Sequence, residues 1–245
     1  MPLCEPNFDM MMQLRPQLLA NCDELPHYLL MPEIDRLIEA APNNHAKIIF
    51  NMLWRTGARI NELLAIRYKD IDFHTDPEDG HLFMIVTIRT LKQNRANDGK
   101  PKRGRAEEGA IRKVPVHCFK SSRAIQMHYR TFVKNKNLPL FINPASMKEK
   151  DGKREPKSWS AQVIRNWINE SIEMLSNQGI ELSIDVTPHT FRHSYAVHLL
   201  LHHLNIRVIQ QLLGHKKISS TLVYMKIWEA ESYLQLRSVP FNAAI

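Results

Sequence analysis

Cysteine is scarce in this chain. Its 245 residues hold three, Cys4, Cys22 and Cys118, far apart, odd in number and without any C-x-x-C step. That excludes a disulfide framework and a zinc ribbon, and it fits a reducing compartment. Long apolar runs are missing as well, and the longest falls far short of a bilayer span. The methionines Met10, Met11 and Met12 are flanked by Glu5, Asp9 and Arg15, so no signal-peptide core forms. No internal repeat is present, which sets solenoids aside. Histidines are numerous, but none pairs with cysteine or carboxylate at a zinc-ligand spacing, so no metal is expected. Together these absences predict a cytoplasmic protein with no membrane segment.

What the chain does have is charge of one sign. Lysine and arginine number 33 against 25 acids, a formal charge of +8 with an isoelectric point near 9.4. An excess of that size creates a field that favours a polyanion, most often nucleic acid. Hydrophobic residues make up 44%, enough for one sizeable core. Residues 1–28 carry four prolines and no sustained periodicity, so they read as an N-terminal arm, partly disordered, ahead of a single domain over 29–245.

Periodicity and caps place helices at about 44–55, 59–66, 121–134, 160–177, 189–203, 206–213 and 220–236, with an earlier one opening at Pro32. Residues 81–90 and 110–117 are rich in β-branched side chains and read as a hairpin with a long loop. The expected fold is α+β, mainly α with a small antiparallel β-sheet.

Three fragments carry the chemistry: Thr56 to Glu62 (T-G-A-R-I-N-E), Thr187 to His193 (T-P-H-T-F-R-H) and Gly214 to Tyr224 (G-H-K-K-I-S-S-T-L-V-Y). Arg59 follows Gly57 at a helix start, where backbone amides and the helix dipole favour an anion, and Glu62 lies three residues on and can orient the guanidinium. Thr187 and Pro188 read as an N-cap and first helical residue, placing His189 and Arg192 on one side of that helix start. Gly214 ends a helix and fixes His215 in a sharp turn, with Tyr224 about one turn inside the next helix. Taken singly, each is an ordinary capped helix, surface ion pair or packed tyrosine. Taken together, they supply a nucleophile for a phosphodiester, arginines and a histidine for the charge of the transition state, and groups that move protons. The hairpin loop adds eight basic residues, Lys92, Arg95, Lys100, Lys102, Arg103, Arg105, Arg112 and Lys113, against three acids. Such a stretch suits a DNA backbone, and it holds the general acid, for which Lys92 is the first candidate.

These boxes resemble the tyrosine recombinase (phage integrase) family over about residues 29–236. The run His189-Thr-Phe-Arg192-His-Ser-Tyr and the C-terminal third look most like multimer-resolution recombinases of F-type plasmids. The resemblance implies that Arg59 and Arg192 hold the scissile phosphate and that His215 hydrogen-bonds a non-bridging oxygen. It also implies that His189 assists deprotonation of Tyr224, that Lys92 protonates the 5′ hydroxyl, and that Glu62 fills a supporting acidic position. It further implies strand exchange in double-stranded DNA through a Holliday junction, in a homotetramer on synapsed DNA that is a monomer or dimer when free. No cofactor, metal or nucleotide would be needed. The C-terminal segment after Tyr224 would contact a neighbouring protomer. Most members carry a separate N-terminal helical domain, which residues 1–28 are too few to form. Two other readings use the same residues: a catalytically silent DNA-binding accessory protein, and a type IB topoisomerase.

Overall fold

The computed structural model describes residues 8–20, 25–90, 110–147, 156–182 and 184–228. Helix α1 (Phe8–Ala20) is followed by α2 (Met31–Glu39), α3 (Asn44–Thr56) and the short α4 (Ile60–Leu64). Strands β1 (Ile71–Thr75), β2 (Leu82–Arg89) and β3 (Ile111–Val116) come next. Then follow α5 (Phe119–His128), α6 (Ala161–Asn177), α7 (Pro188–Leu201), α8 (Ile206–Leu213) and α9 (Ser219–Leu222). The chain is thus mainly helical with one small antiparallel sheet, as its periodicities predict.

The centre of the molecule is α7. Phe191, Tyr195, Ala196, Val197, Leu200 and Leu201 are all buried, and a helix apolar on nearly every side is an interior helix. It packs chiefly against α3 and also contacts α2 and α8. Helix α3 buries Ala46, Ile49, Phe50 and Leu53, the i, i+3, i+4, i+7 face of an amphipathic helix. The Phe50 and Phe191 rings meet at 5.5 Å across this interface. Asn43 starts α3 by accepting a hydrogen bond from the Ala46 amide at 2.9 Å. Gly57 ends it in the left-handed region, at φ 56°.

The sheet has the order β1-β2-β3, antiparallel throughout. The sequence signals only the pair β2 and β3. Strand β1 escapes notice because its one buried side chain, Ile71, is followed by mostly exposed residues. Along β3, Arg112, Val114 and Val116 point inward and alternate with exposed Ile111, Lys113 and Pro115, the period of two that a pleated strand requires. Helix α5 also differs from its expected span. It ends at His128, continues as one wider turn over Tyr129–Val133, and stops at Lys134, which has φ 57°.

The N-terminal segment departs further from expectation. Residues 8–20, read as part of an irregular arm, are helical despite Pro16. Met11 is buried, and the Arg15 guanidinium donates to the Glu33 carboxylate on α2, with one bond at 2.7 Å. Arg15 also donates to the Tyr28 carbonyl at 3.2 Å. A few long-range contacts thus override weak local periodicity.

Candidate active site

Arg192 sits where three helices converge. Its two terminal nitrogens donate to the Gly57 and Leu213 carbonyls, each at 2.7 Å. Those oxygens lie at the C-terminal ends of α3 and α8, where unpaired carbonyls and the negative end of the helix dipole favour a cation. The guanidinium is 3% exposed and bonds carbonyls instead of a carboxylate. Burial, then the neighbouring Arg59 and Arg112 charges, push its pKa down to about 10. Thr187 and Thr190 form a reciprocal cap at the start of α7, with the Thr187 amide donating to the Thr190 hydroxyl at 2.9 Å. That cap sets the first turn, which carries His189 on an exposed face.

Arg59 precedes α4 and is partly exposed. Its Nη1 donates to Glu62 Oε1 at 2.8 Å, and its backbone amide donates to Glu62 Oε2 at 3.1 Å. Glu62 is itself buried and receives a third donor, Arg112 Nη2, at 2.6 Å. Burial raises the Glu62 pKa, but the hydrogen bonds and charge of Arg112, joined by Arg59, outweigh it and hold the carboxyl below its ordinary range. Arg112 was expected to track DNA with the rest of the loop. The alternation of β3 instead turns it inward to this carboxylate, with Lys113 left exposed. The cluster therefore contains three guanidinium groups and one carboxylate. Its excess positive charge is suited to a phosphodiester.

His215 occupies the turn after α8, as expected, and its Nδ1 pairs with the Thr221 hydroxyl at 2.9 Å. Burial first, then Arg192 and Arg59, push the imidazole down to about 4. His189 is also lowered, by burial and then by Arg192, Arg59 and Arg165. Arg165, exposed on α6, was not singled out from the sequence. Tyr224 is placed differently from expectation. Helix α9 stops at Leu222, and Tyr224 lies in the turn that follows, 1% exposed. Its hydroxyl pairs with Nδ1 of His193 at 2.7 Å, and burial pushes the phenol up to about 12. His193 is not among the residues singled out from the sequence; it is the hydrogen-bond partner of the tyrosine. Lys92, Arg95, Lys100, Lys102, Arg103 and Arg105 lie outside the described residues. Among the described residues, no cluster of His, Cys, Asp and Glu could hold a metal ion, and no helix is long and apolar enough to cross a membrane.

The family model described as Phage integrase family matches residues 27–231. The chain belongs to the phage integrase family. It is accordingly a tyrosine site-specific recombinase, an enzyme that cuts and rejoins DNA. A relative named Resolvase from Escherichia coli strain K12 is 37% identical over 215 residues, covering 84% of this chain and 73% of the relative. A probable site-specific recombinase in the afa region of Escherichia coli is 29% identical over 217 residues, 89% of this chain and 76% of the relative. The fold matches the crystal structure of XerA recombinase with a TM-score of 0.60 at 24% identity, over 88% of this chain and 67% of that one. This integrase-family fold places the two arginines, two histidines and tyrosine on converging elements.

Proposed function

We propose that this recombinase attacks a DNA phosphodiester with Tyr224, forming a 3′-phosphotyrosyl bond and releasing a 5′ hydroxyl. Arg59 and Arg192 hold the scissile phosphate, and His215 donates to a non-bridging oxygen. When the Thr221 hydroxyl donates to Nδ1 of His215, the imidazole proton rests on Nε2, the tautomer needed for that donation. His189 assists proton movement, Glu62 orients Arg59, and Lys92 protonates the leaving oxygen. The partner is double-stranded DNA, gripped by Arg95, Lys100, Lys102, Arg103, Arg105 and Lys113. Two duplexes exchange strands through a Holliday junction in a tetramer. The relative named Resolvase favours resolution of plasmid or replicon multimers over integration or inversion. A catalytically silent binder is disfavoured, since binding alone requires no buried tyrosine paired to an imidazole beside a guanidinium cluster.

The observation that carries this reading is the pair Arg59 and Arg112 on one carboxylate with the Arg192 guanidinium beside them, next to a tyrosine hydroxyl held by an imidazole. The test is covalent trapping on nicked DNA in the presence of a chelator, with adducts mapped across the host replicon to find the target. We expect a protein–DNA adduct that Tyr224→Phe abolishes. An adduct that persists in Tyr224→Phe would sink the assignment. A 5′-thio leaving group should restore cleavage to Lys92→Ala, because a thiolate departs without a proton; no rescue would shift the general acid to another loop lysine.

A further inference from the structure

Among the described residues, Tyr224 has one side-chain hydrogen-bond partner, and it is not the histidine of the H-x-x-R box. His193 Nδ1 lies 2.7 Å from the phenol oxygen, with the two ring centroids 6.0 Å apart. His189 is exposed, its ring centroid 6.5 Å from that of His193. Among the described residues, no hydrogen bond joins His189 to Tyr224. We propose that His193 is the residue that positions Tyr224 and accepts its proton as the phenol oxygen attacks phosphorus. This rests on Tyr224 being the nucleophile.

The surroundings of His193 suit the role. It is faced by His189 and Arg192 on its own helix, by His215 from the turn after α8, and by Tyr224. Burial, then the His189 and Arg192 charges, push the imidazole down to about 4, so it is neutral near pH 7 and keeps a lone pair for a proton. The phenol, pushed up to about 12 by burial, supplies no phenolate of its own. Transfer in the resting state is therefore strongly uphill. It becomes favourable only as the bond to phosphorus forms and the phenol oxygen loses its basicity. An entering phosphate also offsets the Arg192 charge, which raises the proton affinity of His193. The bond formed is Tyr224 Oη to phosphorus, and the bond broken is phosphorus to the 5′ oxygen. The phenol proton ends on His193 Nδ1, while the 5′ oxygen takes its proton from the general acid proposed above. His189, close to Arg59, Arg192 and Arg165, is left to assist proton movement from the phosphate side.

The test is single-turnover adduct formation on the nicked substrate between pH 4 and 8.5. His193→Ala should slow it about 100-fold, the size of a lost general base, and flatten the acid limb of the pH profile. His193→Asn keeps a polar group near the Nδ1 position but cannot take the proton; it should melt like the parent and still be slow. Added imidazole should partly restore His193→Ala, and His189→Ala should keep the acid limb. Rates for His193→Ala within about threefold of the parent would overturn the proposal. So would a full rate for His193→Asn, or a slow His193→Ala with an unchanged pH profile and no imidazole rescue. An adduct lost in Tyr224→Phe but intact in His193→Ala overturns this proposal alone; an adduct persisting in Tyr224→Phe overturns the nucleophile as well.

Discussion

Gly57 shows how much of the site depends on one missing side chain. Its φ of 56° lies in the left-handed region, and a Cβ there would collide with the Tyr195 ring. The glycine thus ends α3, admits α7 and presents its carbonyl to Arg192 at once. Gly57→Ala should cost about 2–5 kcal/mol, combining left-handed strain with overpacking; a denaturant melt checks it, and a loss under about 1 kcal/mol would contradict the tight approach. This glycine was legible in the sequence as a helix stop, because only glycine reaches that backbone conformation without penalty. His193 was not. Helical spacing puts Arg192 and His193, three and four residues on, on the same face as His189, but it does not show what His193 meets across that face. Its partner arrives from a turn 31 residues later, a distance no local pattern spans.

Among the elements, α8 was legible to the residue, with Asn205 capping one end and Gly214 in the left-handed region at the other. Strand β3 carried a signal that composition hides. Counted as loop charge, Arg112 belongs with its basic neighbours; counted by strand alternation, it shares a face with Val114 and Val116. Helix α1 was illegible because its attachment joins a buried ion pair to α2 with a few scattered apolar contacts such as Met11, instead of a periodic apolar face. Glu33→Gln keeps an acceptor for the Leu30 amide, which now donates to Glu33 at 2.8 Å, but removes the buried negative charge that faces Arg15, a loss that is costly when buried. The expected result is local: amide exchange over residues 8–20 rises at least about tenfold while α3 stays protected. Unchanged exchange in α1 would mean that Met11 and its apolar neighbours hold the helix without the ion pair.

For the whole molecule, the histidines set the response to acid. Burial, as the largest cause, pushes His128, His193, His198 and His215 down to about 4 from an ordinary 6.5. Between those values the unfolded chain binds more protons than the folded one, so stability is full above pH 6.5 and falls as the pH drops toward 4. The melting temperature at pH 5 should be about 5 °C or more below that at pH 7.5; a flat profile across that range would refute the neutral, buried histidines. The same interior holds Arg192, which pins the ends of α3 and α8 through their carbonyls. Its loss therefore cannot be read as a purely chemical defect. A variant at Arg192 that fails to cleave DNA will also have lost the tie between the helix that precedes Arg59 and the helix that precedes His215. Kinetics on such a protein would mix missing charge with slack geometry. In this enzyme the residue proposed to hold the scissile phosphate doubles as an assembly check, since the site is complete only in molecules whose distant segments have already docked.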